Sequence, residues 1–308
     1  MEQTSQVGNV TMHYDCYSGE DLYVDGSEET LLAIVKEHPR EAYNQIIQEK
    51  EDWAILYHLS DIRGNIVEWL PIEKTDNVLE IGAGCGAITG TFADKAGRVD
   101  CVDLSKARSL VNAERNKDKG NVHIYVGDFM DVEQLLPDTY DYISFIGVLE
   151  YAPCYLKEER PFEKLLLMAK KHLKKGGKMI IAIENKYGLK YWAGCKEDHL
   201  GSYYSGIEGY LETDTVKTFS KNGLHRLLAS AGLGSVKFYY PYPDYKLPIS
   251  IYSDDYLPKQ GELNNNFRNF DAPRMLLFDE TKVFDNLIAD EMFDIFSNSF
   301  LVIAEQED

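Results

Sequence analysis

The chain has 308 residues, 44% of them hydrophobic, enough for one large core or two small ones. Its 32 Lys and Arg stand against 51 Asp and Glu, a formal net charge of −19, so its surface repels phosphate and disfavours nucleic acid as a partner. The five cysteines (Cys16, Cys85, Cys101, Cys154, Cys195) form no C-x-x-C pair, which argues against a disulfide framework or a zinc site. No other cluster has metal-ligand spacing, so no metal is assigned, although scattered carboxylates escape such a search. Met1-Glu-Gln-Thr-Ser5 has no signal-peptide core, and apolar runs such as residues 179–183 are too short to cross a bilayer. A cytoplasmic protein without membrane contact is expected.

Residues 1–76 form an N-terminal cap segment. Residues 10–24 mix Tyr14, Tyr17 and Tyr23 with polar side chains and predict a short hairpin, while 28–36 and 41–50 predict short helices. Ile62, Ile66, Val67 and Leu70 fall at helical spacing and stop at Pro71, which predicts a packing helix.

From residue 77 the pattern alternates strand and helix. Val78, Leu79 and Ile81 suit a buried strand, and Gly82, Gly84 and Gly86 follow it before a helix that starts near Ala87. A strand, a glycine turn and a helix start make a nucleotide-type pocket at the carboxyl end of a parallel sheet. Gly82-x-Gly84-x-x-Ala87 satisfies the dinucleotide fingerprint. Glu80, however, would repel a pyrophosphate and suits a cationic ligand. Residues 98–103 form the second strand, ending in Asp103, whose carboxylate can accept both hydroxyls of a ribose. The third strand runs from Val122 into Gly127-Asp128-Phe129. The fourth is residues 140–146, followed by Gly147 and Glu150. A helix at 161–173 stops at Gly176, and 178–183 is the fifth strand.

Residues 184–210 lack periodicity and are dense in aromatic, Gly and polar residues, so they read as a substrate lid. Ser220 caps a helix at 221–231, and 236–240 is the sixth strand. The only good candidate for a seventh strand is 300–304. Residues 241–298 are therefore an insertion that, with the lid, walls a substrate pocket; it ends in a helix bearing Val283, Phe284, Leu287, Ile288, Met292 and Phe296. The core is thus 77–240 with 299–308.

Glu80-x-Gly82-x-Gly84-x-Gly86, Asp103-Leu104-Ser105, Gly127-Asp128-Phe129 and Ile146-Gly147 together resemble the motifs of class I S-adenosylmethionine-dependent methyltransferases. The resemblance implies an α/β, Rossmann-like sheet of seven strands with the last antiparallel, an N-terminal helical segment and a long insertion before the last strand. It implies S-adenosylmethionine as cofactor. Glu80, Gly82, Ala83 and Gly84 would lie at its methionine part, Asp103 and Leu104 at its ribose, Asp128 and Phe129 at its adenine, and Ile146 and Gly147 near its methyl. In the family an N-terminal segment often closes over the cofactor, and Arg63 or Tyr57 would then meet its carboxylate. Many relatives have His where Tyr151 stands, which removes a histidine base from that position.

His58-Leu-Ser-Asp-Ile-Arg-Gly-Asn-Ile-Val-Glu-Trp69, Glu184-Asn-Lys-Tyr-Gly-Leu-Lys-Tyr-Trp-Ala-Gly194 and Tyr240-Pro-Tyr-Pro-Asp-Tyr-Lys-Leu-Pro248 resemble bacterial methyltransferases associated with polysaccharide and sugar-modifying gene sets. The function they imply is methylation of a small molecule at a hydroxyl of a sugar or related metabolite. A hydroxyl benefits from a base: His199 is the first candidate, then Glu208 and Glu150, with Tyr187 and Asn185 orienting the acceptor. The alternatives are a tRNA or protein methyltransferase using Lys164, Lys170, Lys171, Lys174 and Lys175, or a non-catalytic cofactor-binding module. An NAD oxidoreductase is disfavoured by Glu80 and Asp128. A homo-oligomer is compatible with the sequence.

Overall fold

A buried strand needs apolar residues on both faces, and Val78, Leu79 and Ile81 meet that need: all three are buried in β3 (Asn77–Ile81). The structure, a computed structural model, describes residues 3–137, 139–265 and 274–306; residues 266–273 of the expected insertion and 307–308 of the expected core lie outside these. The chain folds as two units, residues 1–145 with 171–178, and residues 146–170 with 179–308.

In the first unit, β1 (Thr4–Val7) and β2 (Val10–His13) form an antiparallel hairpin. Then come β3, β4 (Arg98–Asp103), β5 (Val122–Val126) and β6 (Tyr140–Ile146). β2 pairs in parallel with β5, β5 with β4, β4 with β3, and β3 with β6. The expected 10–24 hairpin is therefore displaced toward the N-terminus. The turn at Gly8, with φ of +60°, reverses the chain, and Val10 and Met12 are buried on alternate positions of β2. The expected cap segment thus adds strands to the sheet as well as helices over it. Helices Glu28–Glu37, Tyr43–Lys50 and Trp53–Leu59 bury Leu31, Val35, Tyr43, Ile55 and Leu59 against Cys85 and Val111. The pattern expected to make one helix up to Pro71 makes a short 3-10 turn, Asp61–Gly64, and a single helical turn, Asn65–Glu68. Ile66, Val67 and Leu70 are buried and Ile62 is exposed.

β7 (Leu173–Glu184) contributes its first half to the first unit and its second half to the second. The expected helix at 161–173 stops at Lys170, and the strand runs through Gly176, which holds φ of +71° inside it. The glycine therefore makes an irregularity in a strand rather than ending a helix. The second unit adds β8 (Leu233–Tyr242), β9 (Ser250–Ser253) and β10 (Ser299–Gln306). β8 pairs antiparallel with both β10 and β9. Helix Lys221–Ser230 starts where Ser220 Oγ accepts the Gly223 N–H at 3.2 Å, as expected. Phe238, Tyr240, Phe284, Phe293 and Phe300 form the aromatic core of this unit.

All seven expected strands form, as β3 to β8 and β10, with the last antiparallel. Three more, β1, β2 and β9, bring the number to ten among the described residues, which corrects the expected seven. The additions are four-residue strands, short enough for Tyr and polar residues to hide their alternation. No helix among the described residues is long and apolar enough to cross a membrane.

Candidate active site

The cofactor residues expected from sequence lie in the first unit, apart from Ile146 and Gly147. Gly82, Gly84 and Gly86 take φ of +72°, +53° and +73°, a region that any side chain would strain. A Cβ on Gly86 would sit 2.3 Å from Asn112 Oδ1, so the turn is also packed too tightly for one. Asp103 does more than wait at a strand end. Its Oδ2 accepts the Gly84 N–H at 2.7 Å, and its Oδ1 accepts the Ser105 N–H at 2.9 Å. Each carboxylate oxygen retains a further lone pair for a ribose hydroxyl. Burial pushes the Asp103 carboxyl up, against the Arg108 charge and these two N–H donors. Leu104 follows, half-buried. Asp128 caps helix Phe129–Val132, its Oδ1 accepting the Met130 N–H at 3.0 Å, and Phe129 is buried behind it. Ala83 is buried and Gly82 exposed at the bend.

Glu80 is buried, its Oε2 accepting the Thr89 hydroxyl at 2.5 Å with Cys101 Sγ at 3.6 Å. Burial pushes its carboxyl up to about 7, against the donors Thr89 and Cys101. Arg63 is buried with its guanidinium 4.0 Å above the Tyr57 ring, and its charge acts on Glu80. Glu80 therefore holds more protons in the fold than in the unfolded chain. Its burial costs stability as pH rises from the ordinary carboxylate range to about 7, and a cation bound beside the ionised form offsets that cost. With that carboxyl half ionised at pH 7 and about one-eleventh ionised at pH 6, affinity for the cationic donor is expected to fall roughly fivefold between the two. Calorimetry with S-adenosylmethionine should show this slope, and with uncharged-sulfur S-adenosylhomocysteine a weaker one. A slope that persists in Glu80→Gln would assign the effect elsewhere.

The catalytic candidates lie in the second unit, where the structure brings together two of the three. Glu150 sits in the 3-10 turn Leu149–Tyr151 that follows β6. His199 lies on the loop after helix Leu189–Trp192. Its Nε2 is 3.9 Å from Glu150 Oε1 and 3.3 Å from Glu184 Oε2, and its Nδ1 is 3.0 Å from the Tyr151 hydroxyl. Both ring nitrogens are thus engaged. Tyr151, which stands where many relatives have histidine, has an imidazole against its hydroxyl, supplied from another part of the chain. Glu208 is exposed on the short helix Ser205–Glu208 and is not one of the residues of this cluster. Gly147, with φ of +71°, leaves room for the Tyr245 hydroxyl, which a Cβ would meet at 2.8 Å; Ile146 before it is half-buried.

Sequence reading missed the groups around this centre. Glu184, the last residue of β7, is fully buried; its Oε1 accepts Lys246 Nζ at 2.6 Å and the Tyr245 hydroxyl at 3.3 Å. Lys246 also meets Asp198 at 2.6 Å, and Lys190 meets Asp198 and Asp244, each at 2.9 Å. Tyr191 donates its hydroxyl to Asp198. Asn185, expected to orient the acceptor, instead donates to the carbonyls of Ile295 and Ser297 at 2.7 and 2.8 Å. The signal for Glu184 was its place at a strand's carboxyl end, where sites of open α/β sheets collect. Burial pushes the Glu184 carboxyl up, but the Lys246 and His199 charges outweigh it and hold the group well below the usual range. Burial opposes charge on His199, yet Glu184 raises it to about 9. Glu150 is pushed up to about 8 by burial first and then by the Glu184 charge. Both Glu150 oxygens are buried without a hydrogen-bond partner among the described residues. Glu150, Glu184 and His199 offer ligand atoms that all lie within 4.8 Å of one another. Spacing along the sequence hid this group, because two strand ends and a loop assemble it.

Residues 79–179 match the family described as "Methyltransferase domain". The match spans about a third of the chain, the stretch that holds the glycine turn and Asp103, and it is this stretch that is similar to methyltransferase domains. Among curated relatives, a "tRNA1(Val) (adenine(37)-N6)-methyltransferase" of Proteus mirabilis is 35% identical over 81 residues, 24% of this chain and 32% of the relative. A "Ribosomal RNA small subunit methyltransferase A" of Pelotomaculum thermopropionicum is 36% identical over 73 residues, 24% of this chain and 25% of the relative. The chain thus spans 32% and 25% of the length of these two relatives. Among solved structures, an S-adenosylmethionine-dependent methyltransferase from Archaeoglobus fulgidus is 18% identical, covers 82% of this chain and all of its own, and superposes with a TM-score of 0.49.

Proposed function

We propose that the chain methylates a small molecule in the cytoplasm, at a hydroxyl of a sugar or related metabolite. In the first unit, Glu80, Gly82, Ala83, Gly84, Asp103, Leu104, Asp128, Phe129 and Arg63 hold the donor. Glu150, Glu184 and His199 handle the acceptor. The observation that carries this reading is Glu150: a fully buried carboxyl group with neither oxygen hydrogen-bonded among the described residues, which a hydroxyl-bearing ligand would satisfy. The sulfonium methyl is already activated, so what remains is in-line placement of the oxygen and removal of its proton. His199 falls from first place as a free base because both its nitrogens have partners.

An RNA acceptor is the second reading, favoured by the names of the two curated relatives, which weaken the argument from net charge. Against it, the lysines of the imagined basic patch are occupied. Lys170 donates to the carbonyls of Ala231 and Gly232, Lys171 pairs with Glu133, Lys174 with Asp141 and Lys164 with Glu158. The test offers methyl-labelled donor with a panel of free and nucleotide-linked sugars and, separately, with tRNA and ribosomal RNA. Label is expected in a sugar hydroxyl, with turnover lost in Glu150→Gln. Label in RNA alone would replace the sugar reading with the second one.

A further inference from the structure

The oxygens of Glu150 and Glu184 and Nε2 of His199 face one another from three separate segments, and all three ligand atoms lie within 4.8 Å of one another. We propose that these residues bind one divalent first-row transition-metal ion. Donors about 2.0–2.4 Å from a common ion lie at most about 4.8 Å apart, so the three are already disposed around one point. One imidazole and two carboxylates form a mixed nitrogen and oxygen set, suited to manganese, iron, cobalt or zinc rather than to magnesium or calcium, which prefer oxygen alone.

Three features mark a built site rather than a chance grouping of acids. Glu150 is fully buried, both its oxygens lack a partner among the described residues, and one points at His199 Nε2 from 3.9 Å. A buried carboxylate that accepts no hydrogen bond is costly, and a metal ion removes that cost. His199 is oriented from behind, the Tyr151 hydroxyl standing 3.0 Å from Nδ1 and turning Nε2 inward, as outer partners do for ligating imidazoles. Glu184 keeps Lys246 and Tyr245 on Oε1 and turns Oε2 toward the cluster.

The local charge also calls for added positive charge. Glu150, Glu184, Asp198 and Asp244 bring four negative charges, while Lys190 and Lys246 bring two positive ones. Glu197, whose Oε2 accepts the backbone N–H groups of His199 and Leu200, adds a fifth acid beside His199. A divalent ion with neutral His199 balances the first four acids. Protons on both His199 and Glu150 would give the same sum, and this is the rival that an experiment must separate. What the ion does for chemistry, holding the acceptor oxygen and making its proton easier to lose, rests on the methyl-transfer reading. Its binding does not.

The test uses the full, untagged chain, stripped with chelator and dialysed, without donor or acceptor. Manganese(II) is titrated in, with the free ion followed by electron paramagnetic resonance and stoichiometry checked by elemental analysis; zinc(II) and cobalt(II) follow by calorimetry. One ion per chain is expected, together with a higher melting temperature. Glu150→Gln and His199→Ala should each weaken binding at least about 100-fold, and Tyr151→Phe about 10-fold, with circular dichroism confirming that each variant folds. Absence of stoichiometric uptake of all three ions by folded chain overturns the proposal in favour of the two-proton alternative. Uptake that Glu150→Gln and His199→Ala leave unchanged overturns it too, by moving the ion elsewhere. Since no methyl transfer is measured, failure of the sugar reading leaves this result standing, and the reverse also holds.

Discussion

Asp103→Ala is expected to raise the dissociation constant for S-adenosylmethionine at least about 100-fold, roughly 2.7 kcal/mol. Two losses combine. The carboxylate disappears as an acceptor for ribose hydroxyls, the role its strand-end position implies. The glycine turn also loses the brace between Asp103 Oδ2 and the Gly84 N–H at 2.7 Å, and the Ser105 N–H loses its acceptor at 2.9 Å. Hydrogen bonds to a charged acceptor are worth about 1.5–3 kcal/mol each, so either loss alone approaches the expected effect. The Arg108 guanidinium, whose charge opposes the upward push of burial on the Asp103 carboxyl and which a Cβ on Gly84 would touch at 3.0 Å, would lose one of the acids that act on it. Asp103→Asn keeps one acceptor oxygen and should lose less. Calorimetry on folded protein decides: affinity within threefold of the parent for Asp103→Ala would remove this acid from the donor site.

The cofactor half of the molecule was legible because its chemistry is local. A strand, three glycines and an acid within 27 residues of one another, from Asn77 to Asp103, are visible as a string, and they form β3, the turn and β4 as the pattern demands. The sheet's extra strands were less legible. β1, β2 and β9 have only four residues each, too short for period-two alternation to stand out. The acceptor cluster was half legible. His199 and Glu150 stood out as isolated titratable groups after strand ends or in an aperiodic loop. That they meet, and that Glu184 lies between them and Lys246, depends on tertiary packing that no spacing rule encodes. The same holds for Glu208, which is identical in kind to Glu150 but lies on an exposed turn.

Glu184→Ala is expected to destabilise the protein by roughly 3–5 kcal/mol, the range for breaking a buried ion pair from one side. Lys246 Nζ, at 2.6 Å from Glu184 and also 2.6 Å from Asp198, keeps one acid and loses the other, and the His199 imidazole loses the carboxylate 3.3 Å from its Nε2. Both cations are nearly enclosed, with side chains 17% and 8% exposed, so water cannot replace the missing partner cheaply. Glu184→Gln retains the shape and should cost less. Adding Lys246→Met to Glu184→Gln removes the orphaned ammonium, so the double variant should be more stable than the sum of the two single losses, with a coupling of at least about 1 kcal/mol. Chemical denaturation of the parent, Glu184→Ala, Glu184→Gln, Lys246→Met and the double variant measures this. Additive losses, or a Glu184→Ala cost below about 1 kcal/mol, would mean that Lys246 and His199 do not depend on Glu184, and the buried network drawn around it would have to be abandoned.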